Sequence, residues 1–156
     1  MSAAATFEEL VAEGASVPTT GWDFSWFEGR STEERPSWGY SKMVMTRMAG
    51  VAAALDIQTG WGEVLAEVVA GIPRRPRLVT ATESWPPNLA VAATRLQPWG
   101  ASVLAVADDG DLPVATESFD LVVSRHPTVT RWGEVARVLV PGGTYLAQHV
   151  GAGTVG

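Results

Sequence analysis

From residue 51 onward, short unbroken apolar runs alternate with stretches in which apolar residues recur every three or four positions. The runs are "VAAALDI" ending at Ile57, "RLVTATE" at Glu83, "SVLAVAD" at Asp108, "FDLVVSR" at Arg125 and "TYLAQHV" at Val150. Each predicts a strand, and runs with so little alternation predict strands covered on both faces, as in parallel sheets. Between them, residues 62 to 70 set Val64, Leu65, Val68 and Val69 against Glu63 and Glu67. That stagger predicts a helix closed by Gly71 and Pro73. A second helix is expected from Pro87 to Gln97, with Pro87 in its first turn. Trp132, Val135, Ala136 and Leu139 mark a third helical face, which Pro141, Gly142 and Gly143 should stop.

The pattern differs before residue 51. Thr6 and Glu9 have the spacing of a capping box, Phe7, Leu10 and Val11 share a helical face, and Gly14 marks its end. An irregular stretch follows, "TTGWDFSWFEGRSTEERPSWGY". Ser37 then stands where a cap would start a helix carrying Tyr40, Met43, Val44, Met48 and Val51 on one side. Strands joined by crossovers long enough for helices imply an α/β fold, a Rossmann-like three-layer sandwich. We expect a mainly parallel sheet of five strands preceded by an N-terminal helical segment. The expected division is residues 1–36 as an aromatic, partly helical lid segment and 37–156 as the sheet domain.

Composition narrows the function. The chain has 156 residues, 46% hydrophobic and 18% charged, enough for a packed core. It has no cysteine, so neither disulfides nor thiolate metal sites are expected, which is compatible with a reducing cytoplasm. No apolar run approaches the ~20 residues of a membrane span, and the N-terminus lacks signal-peptide character. Net charge is −6 with a single lysine, Lys42. The arginines are scattered apart from Arg74, Arg75 and Arg77, so a nucleic-acid partner is not expected. No His, Asp or Glu spacing suggests a metal site.

The first strand runs into its helix through "LDIQTGWGE", a turn with Gly60 and Gly62 and with Gln58 two residues before Gly60. In an open parallel sheet such a turn is where ligands sit, and the helix start offers free N–H groups to an anion. Glu83 ends the second strand 21 residues after Gly62, the separation at which a carboxylate takes ribose hydroxyls. Asp108 places a third acid at a strand end. Taken singly, each acid is explained by strand-end capping, and the glycines by an ordinary tight turn.

These stretches resemble the class I S-adenosylmethionine-dependent methyltransferases, particularly the small-molecule branch related to quinone biosynthesis. The resemblance covers about residues 37 to 150 and rests on four stretches: "LDIQTGWGE", "TATES", "ADDGDLPVATESFDLVVSRH" and "EVARVLVPGGTYL". It implies S-adenosylmethionine as cofactor and a small-molecule methyl acceptor. By position it implies that Asp56 and the backbone of Gln58, Thr59, Gly60 and Gly62 surround the methionine end. Glu83 would accept the ribose hydroxyls, with Ser84 and Trp85 flanking the adenosine. Asp108, with Asp109 beside it, would accept from the adenine amino group. Ser124 and Arg125 would lie near the sulfonium and acceptor, and Tyr40 would reach the cofactor carboxylate. Ordinary packing explains Trp85 and Tyr40 equally well.

The chain departs from the family pattern in two places. Gln58 stands where the family has glycine; it costs little if its φ is negative and its side chain points aside, and otherwise pushes on the methionine end. The family also continues past the fifth strand, so the chain reads as truncated there. The fifth strand is then an open edge, and self-association through it is expected. Methyl transfer needs a general base only if the acceptor must lose a proton, and His126 is the candidate. Trp22, Trp26, Trp38 and Trp61, with Phe24 and Phe27, either form an apolar lid or pack the N-terminal segment. Two rivals remain: a degenerate cofactor-binding or interaction domain, and a nicotinamide-dependent oxidoreductase. The Asp56-to-Gly62 spacing and the Leu-Pro, Phe-Asp and Pro-Gly-Gly stretches weigh against the oxidoreductase.

Overall fold

The computed structural model describes residues 5–17, 25–29 and 39–151. The chain divides into two compact units, Met1–Glu34 and Arg35–Gly156. In the first unit, α1 (Phe7–Ser16) starts at the expected capping box. The Thr6 hydroxyl accepts from the Glu9 amide, and the Glu9 carboxylate accepts from the Thr6 amide. Its apolar residues are exposed: Phe7 76%, Leu10 52% and Val11 53%, so within this unit the shared face covers no core. The helix passes Gly14 and ends at Ser16. A single 3₁₀ turn, Ser25–Phe27, sets Trp26 edge-on to Phe27. Ser37, Trp22, Phe24 and Trp38, which carry the cap and most of the lid expectation, lie outside the described residues.

The second unit holds α2 (Tyr40–Met48), β1 (Ala53–Asp56), α3 (Glu63–Gly71), β2 (Leu78–Glu83), α4 (Pro86–Leu96), β3 (Ser102–Ala105), β4 (Phe119–Arg125), α5 (Trp132–Val138) and β5 (Leu139–Gln148). The five strands form one sheet in the order β3-β2-β1-β4-β5, and every pairing is parallel. From β1 the chain steps outward to β2 and β3, then returns to β4 on the other side of β1. The strand order thus reverses beside β1, where open α/β sheets bind ligands. One face carries Tyr40, Val44 and Met48 of α2, Leu65, Val68 and Val69 of α3, and Ala92 and Leu96 of α4. The other face is built on Leu55, Phe119 and Val122 with Leu112 and Val138. Apolar residues point both ways from the strands, which is why the runs show little alternation.

The helices follow the predicted stagger with local differences. On α2, Tyr40, Val44 and Met48 are buried while Met43 stays at the surface. Gly62 caps α3 with φ +71°, and a Cβ there would meet Leu96 Cδ1 at 3.0 Å, so this glycine lets α3 approach α4. At α5 the expectation needs correction. Val135 and Val138 face the core, Trp132 is 62% exposed, and the helix ends before Leu139. Pro141, Gly142 and Gly143 do not stop a helix; they lie inside β5, where the pairing with β4 shifts register between Phe119 and Leu121. A Cβ on Gly143 would stand 2.9 Å from the Val140 carbonyl oxygen, so glycine lets the strand bend there. β3 stops at Ala105, so Asp108 sits in the following turn rather than at the strand end.

Two parts of the "DLPVATESFD" stretch support the sheet. Phe119 is 1% exposed beneath β1, and Asp120 Oδ2 accepts from the amides of Ala52 and Ala53 at 3.1 and 2.8 Å. This carboxylate ties the start of β1 to β4. Leu112 is buried against the same core.

Candidate functional site

The site lies at the carboxyl ends of β1, β2 and β4 and is built on the turn after β1. Ile57 continues the ladder, donating to the Val123 carbonyl at 2.9 Å. The backbone then turns sharply. Gln58, Gly60 and Gly62 have φ of +59°, +64° and +71°. The Gln58 amide donates to Thr82 Oγ1 and the Thr59 amide to the Thr82 carbonyl, so β2 holds the turn from its other side. Thr59 Oγ1 donates to Asp56 Oδ2 at 2.6 Å.

Glu83 ties the two strand ends together. Its Oε2 accepts from the Gly60 amide at 2.8 Å, and its Oε1 accepts from the amides of Ser84 and Trp85 at 3.0 and 2.9 Å. A carboxylate offers about four acceptor positions, so three amides leave roughly one, on Oε2. The group is 6% exposed. Asp56 is buried close by. Burial raises its pKa to about 7, with Glu63 and Glu83 adding to the rise and the Thr59 hydroxyl opposing it.

Tyr40 comes in from α2. Its hydroxyl is buried and makes no hydrogen bond of good geometry among the described residues, although the Ser124 backbone lies close enough to oppose the rise in its pKa. Burial first, and then the charge of Asp56, hold it protonated well above the ordinary tyrosine range. A buried hydroxyl without a well-aligned partner is costly, and one beside a buried carboxylate marks a place suited to a polar ligand. With the N-terminus of α3 alongside, these groups have the donors and acceptors that an amino-acid moiety requires.

The other predicted residues divide. Ser124 is buried, with Oγ donating to the Ile57 carbonyl at 2.7 Å. Trp85 is 41% exposed at the start of α4, and Ser84 is exposed beside it. Asp108 Oδ2 accepts from Thr128 Oγ1 at 2.6 Å. Asp109 is exposed, and its carbonyl accepts from Arg131. Arg125 reaches Gln148 on β5, and His126, exposed with φ +54°, donates its amide to the Gln148 carbonyl. The structure therefore brings Asp56, Thr59, Gly60, Glu83 and Tyr40 together. Asp108 joins this group only through Thr128 and Gln58.

Gln58 does not point aside. Its Nε2 donates to the Val129 carbonyl at 2.8 Å, and its Oε1 accepts from the Thr128 amide at 2.7 Å. Behind it lies a cavity of about 20 Å³, lined by Ile57, Thr82, Val106, Asp108, Ser124 and Tyr145 among others. That space suits a water-sized molecule. Sequence reasoning assigned no role to Thr82, a buried β2 residue inside the "TATES" stretch, or to Thr128, an exposed residue of the loop after β4.

The loop from Leu112 to Ser118 is held by Arg137. Its guanidinium donates to the carbonyls of Leu112 and Val114 and to both oxygens of Glu134. Glu134 in turn accepts from the Leu112 amide at 2.7 Å. The Arg137 hydrogen bonds and the Leu112 amide lower the Glu134 pKa to about 2.

Comparison with known proteins agrees with this architecture. Residues 55–147 match a family described as methyltransferase domain. No curated protein matches the chain. Among solved structures, an S-adenosylmethionine-dependent methyltransferase from Mesorhizobium loti is 21% identical, with a TM-score of 0.56, over 67% of this chain and 50% of that one. A geranyl diphosphate methyltransferase in complex with GPP and sinefungin is 13% identical, TM-score 0.60, over 72% and 44%. The [4+2]-cyclase SpnF is 21% identical, TM-score 0.60, over 92% and 57%. At these identities the likeness is one of fold. The chain spans about half the length of the solved structures it matches, 43%, 49% and 53% for three of them.

Proposed function

This chain belongs to the methyltransferase-domain family, and on that premise we propose that it binds S-adenosylmethionine and transfers its methyl group to a small-molecule acceptor. The observation that carries the reading is the buried constellation of Asp56, Glu83 and the Tyr40 hydroxyl around a turn with three positive φ angles. In this reading Asp56, Tyr40 and the amides at the start of α3 hold the amino-acid end of the cofactor. Glu83 offers its remaining acceptor position to the ribose, and Trp85 offers a ring face to the adenine. Asp108 and Asp109 would accept from the adenine amino group, and Ser124 and Arg125 would lie near the sulfonium and acceptor.

When bound, the cofactor supplies a methyl group on a positively charged sulfur. The protein's part is to fix that group in line with the acceptor and to keep water out. Asp56 contributes to the alignment, because a carboxylate already stripped of water binds an ammonium without further desolvation. The structure offers no buried base on the acceptor side among the described residues. An acceptor that must lose a proton would hand it to solvent or to His126 on the exposed turn after β4. The negative net charge supports a small acceptor over a nucleic acid.

A second reading, a cofactor-binding domain without turnover, is favoured by one observation: the Gln58 side chain bridging to Thr128 and Val129. Calorimetric titration with S-adenosylmethionine, S-adenosylhomocysteine and NAD tests both. Binding of the first two but not NAD is expected. Binding without methyl transfer to any of a panel of small phenols, amines and carboxylates would favour the second reading, and selective binding of NAD would defeat both.

A further inference from the structure

Gln58 combines two properties that do not belong together by chance of sequence. Its backbone sits at φ +59°, a region glycine enters freely and a glutamine does not. Its side chain is engaged through both Nε2 and Oε1 with residues 70 and 71 positions later, Thr128 and Val129. Only one orientation of the amide fits these partners, oxygen toward an N–H and nitrogen toward a C=O. Thr128 carries a single hydroxyl proton but has two acceptors, Asp108 Oδ2 at 2.6 Å and Gln58 Oε1 at 3.1 Å. The charged carboxylate takes that proton, so the hold on Gln58 Oε1 rests on the Thr128 amide.

The result is a chain of contacts from the β1 turn through the β4–α5 loop to the turn after β3. It crosses the gap between the ends of β1 and β4, where the strand order reverses. The cavity beside this bridge is lined by Gln58 and Asp108 but not by Asp56, Gly60 or Glu83. A ligand that donates to Asp108 competes with the Thr128 hydroxyl for its Oδ2, and Thr128 is held in turn to Gln58.

We propose that the Gln58 side chain is a latch, an internal competitor that closes the adenosyl site and sets its affinity. This rests on reading the rim as an S-adenosylmethionine site. Opening exchanges two Gln58 hydrogen bonds for solvent and frees Asp108 to accept from the ligand. Glutamine in place of glycine therefore weakens binding and leaves the site specific for the same ligand.

The test is calorimetric titration of S-adenosylhomocysteine into the wild-type chain, Gln58→Gly and Gln58→Ala. It is paired with amide hydrogen exchange of the ligand-free proteins. Alanine removes the latch but keeps the backbone strain, so it separates the two effects. Both variants should bind at least ten-fold more tightly than wild type, and the Thr128 amide should exchange faster in both. Equal or weaker binding by both variants overturns the latch while leaving the cofactor reading standing, as does an unchanged Thr128 amide. Failure of all three proteins to bind the ligand overturns both.

Discussion

Asp56 is a carboxylate that its surroundings make reluctant to ionise. Burial is the main cause, two nearby acids add to it, and the Thr59 hydroxyl only partly offsets them, leaving a pKa of about 7. Because the folded pKa lies above the unfolded value, the group's contribution to stability is complete below pH ~4 and is lost as pH rises through ~7. The loss is on the order of 1 kcal/mol per pH unit across that window. Asp56→Asn keeps the shape and the Thr59 contact but cannot ionise. Thermal melts from pH 5 to 8 should show the wild type losing stability relative to Asp56→Asn as pH increases. Parallel pH profiles would show that this carboxylate is not the source of the pH dependence. Glu83 differs in its partners, since its oxygens accept from three backbone amides.

At the scale of elements, α5 and the loop before β4 act as one piece because Arg137 joins them. The guanidinium is shared between two carbonyls and the Glu134 carboxylate, and the Arg137 carbonyl accepts from the Glu117 amide. Arg137→Met keeps the stem and removes the fork. The melting temperature should fall and the Leu112 amide should lose protection from exchange. A variant with wild-type Leu112 protection would show that the loop is held by packing alone. Glu134 adds a pH dependence of the opposite sign to Asp56. Its pKa is depressed, so its contribution is present above the ordinary carboxylate range and is lost as pH falls toward ~2. The same element shows why helix periodicity misjudged this region: a seven-residue helix running straight into a strand leaves too few turns to reveal which period governs Leu139.

For the whole sheet, β1, β2 and β4 each have neighbours on both sides, whereas β3 and β5 are edges. β3 is short, with four residues. β5 has ten residues, and nothing pairs with its outer side among the described residues. A long edge strand offers a row of unpaired backbone groups to another chain. Pro141 and the bulge blunt only its beginning. We expect this chain to self-associate through β5, so its apparent mass by light scattering should rise with concentration. A constant monomer mass up to millimolar concentration would contradict this.

The residue order alone determined the sequence of elements, the parallel sheet covered on both faces, and the carboxylates at the ends of β1 and β2. These are consequences of local periodicity and of which residue types can end a buried strand, so they are legible within windows of about ten residues. Only the tertiary structure decided that Gln58 takes a positive φ and bonds across to Thr128 and Val129, that Glu83 is largely spent on amides, that Asp120 caps β1, and that Pro-Gly-Gly bends a strand instead of ending a helix. Each depends on a neighbour brought close by the order of strands or by the register between them. Local patterning carries no record of such a neighbour, because hydrogen-bond partners dozens of residues apart are chosen by the fold.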